Sequence, residues 1–148
     1  MKPKVIDLFA GVGGLSLGFE NSGFDVVLAN EYDPSIAAAY EENHKRTKMI
    51  CGDITLLDLQ KTFSDYAGKV AVIIGGPPCQ GFSQKGQRKT IHDERNFLFK
   101  YFVKVVELVR PRYFVMENVP NLLTAEGGYF RKEIEELFNS MGYQLKMG

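Results

Sequence analysis

What most constrains this chain is a rhythm: short apolar runs, each closed by a glycine or an acidic residue, alternate with stretches whose apolar residues have helical spacing. Residues 5–9 form the first run, Ala10-Gly11-Val12-Gly13-Gly14 ends it, and Leu15, Leu17, Gly18 and Phe19 mark a helix stopped by Gly23. Residues 24–29 read as a second strand. Asp33-Pro34 then supplies an N-cap and a first-turn proline for a helix carrying Ile36, Ala37 and Tyr40. A brief third strand at 49–51 precedes a helix predicted over about 56–66, and residues 70–74 form a fourth strand that is apolar throughout. Continuous apolar strands require a sheet covered on both faces. Leu98, Tyr101, Phe102, Val105, Val106 and Val109 predict a helix broken by Pro111, followed by a fifth strand at 113–117. Phe130, Ile134, Leu137, Phe138 and Met141 predict a last helix ended by Gly142, and residues 143–147 the start of a sixth strand. This alternation predicts an α/β fold, one doubly wound, mostly parallel sheet of Rossmann type, with residues 1–148 in one domain.

Composition agrees with a globular domain: 45% hydrophobic and 24% charged residues exclude disordered and coiled-coil classes, and 148 residues suit one core better than two. Eighteen basic residues balance eighteen acidic ones, so a nucleic-acid partner would need a local patch or another chain. Cys51 and Cys79 resemble neither a disulfide framework nor a metal cluster. A reducing compartment follows, the cytoplasm with the nucleus left open. The N-terminal apolar stretch is too short for a signal peptide or a span, so no membrane is expected. His44 and His92 are isolated, read as surface residues, and suggest no metal site.

Ligands of open α/β sheets sit beyond the carboxyl ends of the strands, which directs attention to the residues just after each strand. After the first, Gly11, Gly13 and Gly14 let the backbone approach a ligand and aim helix N–H groups at an anionic end. Glu31 ends the second strand twenty residues past Gly11, where a carboxylate can accept ribose hydroxyls; Asp53, after the third, can accept from an adenine amino group. Each acid alone could be a helix cap or a solvated loop residue. Together they predict an adenosine pocket, while the glycine spacing departs from the dinucleotide fingerprint. Beyond the fourth strand Cys79 lies on a loop stiffened by Pro77 and Pro78 and flanked by glycines, a setting for a nucleophile, whereas Cys51 reads as structural. Glu117 ends the fifth strand on the same edge, suited to acid–base work beside a thiol.

The segments Asp7-Leu8-Phe9-Ala10-Gly11-Val12-Gly13-Gly14, Gly76-Pro77-Pro78-Cys79-Gln80-Gly81-Phe82-Ser83 and Glu117-Asn118-Val119 resemble, in order, three signature motifs of the cytosine-C5 DNA methyltransferases. The resemblance implies S-adenosylmethionine as cofactor. Phe9 would border the adenine, the Gly11 turn face the methionine moiety, Glu31 hold the ribose with Tyr32 beside the adenine, and Asp53 and Ile54 read the adenine edge, with Pro77 and Leu98 also bordering the cofactor. It implies that Cys79 adds to C6 of a flipped cytosine in DNA while Glu117 acts at N3. Residues 83–95 would form a loop closing over the base, with Gln80, Ser83 and Asn118 beside the substrate and Lys85, Arg88, Lys89 and Arg95 toward phosphates.

The family's later Gln-x-Arg-x-Arg segment, target-recognition region and returning C-terminal segment have no counterpart in these residues. The resemblance therefore implies the front half of an enzyme, dependent on a complementing polypeptide that carries those parts, with a sheet edge left open beside the fifth strand. Three readings stand: a DNA cytosine-C5 methyltransferase, a related RNA enzyme acting on transfer RNA, and a non-catalytic cofactor-binding remnant or subunit.

Overall fold

The computed structural model describes residues 1–77, 97–117 and 129–146. Five strands, β1 (Lys4–Leu8), β2 (Asp25–Glu31), β3 (Lys48–Cys51), β4 (Val72–Gly75) and β5 (Tyr113–Met116), form one sheet in the order β3-β2-β1-β4-β5. Every pairing is parallel. The order reverses direction beside β1, so the loops after β1 and β4 diverge and leave a crevice at their carboxyl ends.

Alternation of side chains across β1 explains the two layers. Ile6 and Leu8 point into the larger core, with Leu28, Ile73, Phe102, Val106, Ile134 and Phe138. Val5 faces the other way, packing with Val26, Val72 and Ile74 against Leu15 and Phe19 of α1 (Gly14–Asn21). The second helix, α2 (Pro34–Asn43), starts as its sequence requires: Asp33 Oδ1 accepts from the amides of Ser35 and Ile36, and Pro34 occupies the first turn, where no N–H is needed. The larger core is closed by α3 (Leu59–Phe63), α4 (Phe97–Val109) and α5 (Tyr129–Ser140). Phe114 of β5 stacks on Phe138 at 4.2 Å, and Tyr143 meets Phe114 edge-on at 5.3 Å.

Four expectations need correction. The continuous helix over 56–66 is a 3-10 turn (Ile54–Leu56), then α3, then a second 3-10 turn (Ser64–Tyr66). Two aspartates divide it, because Asp53 caps the first turn through the Thr55 amide and Asp58 caps α3 through the Lys61 amide. Residues 143–146 are not a strand: the Tyr143 amide donates to Phe138 O and its hydroxyl to Pro111 O at 2.6 Å, which folds the segment back on α5. Coverage of both sheet faces holds for β1, β2 and β4 but not for β5, where Tyr113 is 67% and Val115 40% exposed. His44 is not a surface residue: it is buried, stacks on Tyr40 at 4.4 Å, and meets Glu20 Oε1 through Nδ1. Its neighbours are a glycine and a helix face that only tertiary packing brings together.

Candidate active site

The loops that follow the strands are joined to one another by hydrogen bonds from side chains to backbone and between backbones. Glu31, the last residue of β2, accepts the Gly11 amide on Oε1 at 3.0 Å and the Asp33 amide on Oε2 at 2.8 Å. One carboxylate thus fixes both the glycine turn after β1 and the entrance to α2. Asn30, almost fully buried, donates from Nδ2 to the carbonyls of Ile50 and Gly52, which sets the exit of β3 immediately before Asp53. The Ala10 amide donates to Asn30 O, and the Gly52 amide to Glu31 O.

Gly11 and Gly13 both have positive φ, 60° and 95°, as the sharp entry into α1 demands. A Cβ on Gly13 would run into the rings of His44 and Tyr40, so this glycine is fixed by packing as well as by conformation. Phe9 also has positive φ, 54°, an unusual conformation for a side chain of its size. It lines a cavity of about 390 Å³ together with Asp7, Ala10, Gly14, Leu15, Gly75, Gly76 and Glu117, at the topological reversal between β1 and β4. The Glu117 amide donates to Gly75 O at 3.0 Å, and a Cβ on Gly76 would lie 3.4 Å from Glu117 Cγ. The end of β5 is therefore in contact with the start of the segment leading to Cys79.

The sequence-predicted residues divide into three groups. Phe9, Gly14 and Glu117 line the cavity, and Gly11, Gly13 and Glu31 build the turn beside it. Tyr32 is 70% exposed at the end of β2, and Asp53 lies after β3, its Oδ1 already serving as the cap of the 3-10 turn. Ile54 is buried in the larger core, which leaves its backbone rather than its side chain to face any ligand. Leu98 packs against the same core, and Pro77 is buried beside Gly76. Cys51 is exposed at the end of an edge strand rather than packed inside. Cys79, Gln80, Ser83, Lys85, Arg88, Lys89, Arg95 and Asn118 lie outside the described residues, as does His92.

Sequence reasoning missed the polar cluster behind the cavity. Asp7 is only 1% exposed; its Oδ2 accepts from Ser16 Oγ at 2.5 Å, and Ser16 Oγ lies 2.8 Å from the Tyr40 hydroxyl. Burial pushes the Asp7 carboxyl up to about 7; Ser16 opposes this, and the charges of Glu117 and Glu31 add to it. Burial likewise pushes the Tyr40 hydroxyl up to about 12. An acid inside an apolar strand, with a serine nine residues on, was the available signal. Among the described residues no helix is long and apolar enough to cross a membrane.

The comparisons with known proteins agree with this architecture. The family model for C-5 cytosine-specific DNA methylases matches residues 3–148. The chain is 45% identical over 149 residues to the Type II methyltransferase M1.HphI of Haemophilus parahaemolyticus, covering 99% of this chain and 40% of that protein. It is 42% identical to M.XorII of Xanthomonas oryzae, covering 97% of this chain and 34% of that protein. It therefore spans well under half the length of these relatives. Among solved structures, a prophage-encoded E. coli protein described as a candidate DNA modification methyltransferase superposes with a TM-score of 0.75 at 35% identity, covering 94% of this chain and 38% of that one. Spodoptera frugiperda DNMT2 superposes with a TM-score of 0.63 at 26% identity, covering 94% and 40%. The cofactor of such methyltransferases is S-adenosylmethionine. By fold, by motif order and by a match along nearly its whole length, the chain belongs to the C-5 cytosine-specific DNA methylase family.

Proposed function

We propose that this chain forms the cofactor-binding and catalytic part of a DNA cytosine-C5 methyltransferase. The observation that carries the reading is the cavity at the β1–β4 reversal, with the Glu31-clasped glycine turn on one side and Glu117 on the other. In this reading Phe9, Tyr32, Asp53 and the Ile54 backbone surround the adenine and Glu31 takes the ribose. Gly11, Gly13 and Gly14 face the methionine end, and Pro77 and Leu98 border the cofactor. S-adenosylmethionine supplies the methyl group as an electrophile.

Cytosine C5 is a weak nucleophile, so the base must be activated by the protein. The Cys79 thiolate adds to C6 and pushes electron density toward C5, while Glu117 hydrogen-bonds N3 and supplies the proton that offsets the negative charge on the ring. Loss of the C5 proton and expulsion of the thiolate then release the product. C6 is inaccessible in stacked duplex, so the cytosine is taken out of the helix, a requirement common to DNA methyltransferases. Gln80, Ser83 and Asn118 lie beside the base, and Lys85, Arg88, Lys89 and Arg95 contact phosphates. Target selection belongs to residues outside this chain, in line with the greater length of its relatives, so turnover requires a complementing segment.

Calorimetry tests the pocket: Glu31→Ala and Asp53→Ala should each weaken S-adenosylmethionine binding by about 1–3 kcal/mol, and unchanged affinity in both removes the assignment. The chemistry is tested with the complemented protein and DNA bearing 5-fluorocytosine, whose fluorine blocks the elimination. A covalent adduct should form, vanish in Cys79→Ser and persist in Cys51→Ser. An adduct that persists in Cys79→Ser would overturn the nucleophile.

A further inference from the structure

Helices α1 and α2 meet through polar side chains in register. Ser16 and Glu20 stand four residues apart on α1, and His44 caps α2 four residues after Tyr40, so the members of each pair lie one turn apart. The pairs match rung to rung: Ser16 Oγ lies 2.8 Å from the Tyr40 hydroxyl, and His44 Nδ1 lies 2.5 Å from Glu20 Oε1. The apolar side chains of α1 are engaged elsewhere, since Leu15 and Phe19 pack with Val5, Val26, Val72 and Ile74 of the sheet. A hydrogen bond is satisfied over a narrow range of distance and angle, so two such rungs hold one docking geometry where apolar faces could slide.

The second rung is itself anchored. The His44 amide donates to Tyr40 O, the His44 carbonyl accepts the Thr47 amide, and Thr47 Oγ1 donates to Val26 O at 2.7 Å, so the ring hangs from backbone tied to β2. That ring abuts the glycine turn: a Cβ on Gly13 would run into both His44 and Tyr40. Gly13 is the N-cap of α1, its carbonyl accepts the Leu17 amide, and Gly14 and Leu15, next in the chain, line the cavity. We infer that Glu20 and His44 are positioning residues for the cofactor: by locking α1 onto α2 behind the glycine turn, they aim the first amides of α1 at the anionic end of the ligand. This rests on the reading of the cavity as the cofactor site.

Neither residue lines the cavity, so their effect on binding is transmitted through α1 and is selective. An anion at a helix N-terminus is held by where the first N–H groups point, and the attraction falls off within one turn. A rotation of α1 misdirects those amides. It leaves in place the adenosine end, which in the same reading is gripped from β2 and β3. A role in stability alone would act differently, leaving every ligand of the folded chain unaffected or weakening all of them by one factor.

Calorimetry on the full chain compares S-adenosylmethionine, which carries the carboxylate, with 5′-methylthioadenosine, which lacks the amino-acid end. Glu20→Ala and His44→Ala should each weaken S-adenosylmethionine binding on the order of three- to tenfold, and methylthioadenosine binding by less than about twofold. The double variant should lose no more than about the larger single loss, because both changes open the same rung. Glu20→Gln keeps an oxygen for His44 Nδ1 and should restore wild-type affinity. The Glu20 side chain is 35% exposed, so its substitution leaves the core intact and decides the matter even where His44→Ala fails to fold. Equal losses for the two probes, a Glu20→Ala affinity for S-adenosylmethionine within about twofold of wild type, or no rescue by Glu20→Gln overturns the inference alone. Failure of the wild-type chain to bind either probe overturns the cofactor reading and this inference with it.

Discussion

Replacing Asp7 by Asn should remove a pH dependence from the protein's stability, by an amount that the structure allows to be worked out. Burial pushes the carboxyl up to about 7 in the folded chain from 3.8 for an unburied aspartate, a difference of about three pH units, and each unit corresponds to about 1.4 kcal/mol. The sign follows from proton uptake. Because the folded state holds this proton more tightly, the stabilisation it gives is fully present below about pH 3.8 and is lost as pH rises through about 7. Asparagine keeps the shape and an oxygen to accept the Ser16 hydroxyl, yet never ionises. The stability difference, variant minus wild type, should therefore grow by about 3–4 kcal/mol between pH 4 and pH 8, most of it before pH 7. Carboxylates that do not interact with Asp7 cancel in the difference, and the repulsion from Glu117 and Glu31 is part of the effect measured. Urea denaturation followed by far-UV circular dichroism measures it, since the chain has no tryptophan. A difference that stays constant across this range would refute the reasoning, because it would mean that Asp7 ionises inside the fold at no cost.

Gly13→Ala should cost about 2–4 kcal/mol, since φ is 95° and the new methyl group meets His44 and Tyr40. Adding His44→Ala should recover only part of this, the backbone strain remaining, as thermal melts of the single and double variants would show. Phe138→Ala, at a fully buried site stacked on Phe114, should cost about 3–5 kcal/mol by urea denaturation. Asp33→Ala should cost about 1 kcal/mol through loss of the α2 cap, with S-adenosylmethionine affinity by calorimetry reduced less than in Glu31→Ala.

The strands and the cap at Asp33-Pro34 were legible because their signals are local: apolar runs, a proline where no N–H is needed, glycines at turns. Glu31 was legible for a different reason, the regular length of a βα unit, which puts the end of β2 beside the first turn. The Asp7–Ser16–Tyr40 cluster was not, because Ser16 and Tyr40 are 24 residues apart and meet only when α1 and α2 dock. His44 was misread for the same reason, an isolated histidine having no periodic partner to betray its burial. The break at 53–58 went unseen because leucines at 56, 57 and 59 look helical while Asp53 and Asp58 act as caps, a competition decided by short side-chain bonds to the backbone.

The Glu31 clasp limits how this pocket could be re-engineered. One carboxylate holds the amides of Gly11 and Asp33 and is also the proposed ribose acceptor, so in that reading the turn and the acceptor are mechanically a single part. Widening the site for a bulkier cofactor analogue by shortening residue 31 would also release the loop after β1 and the start of α2. Variants that enlarge the site from the exposed Tyr32 side leave both amides held, and a redesign should begin there.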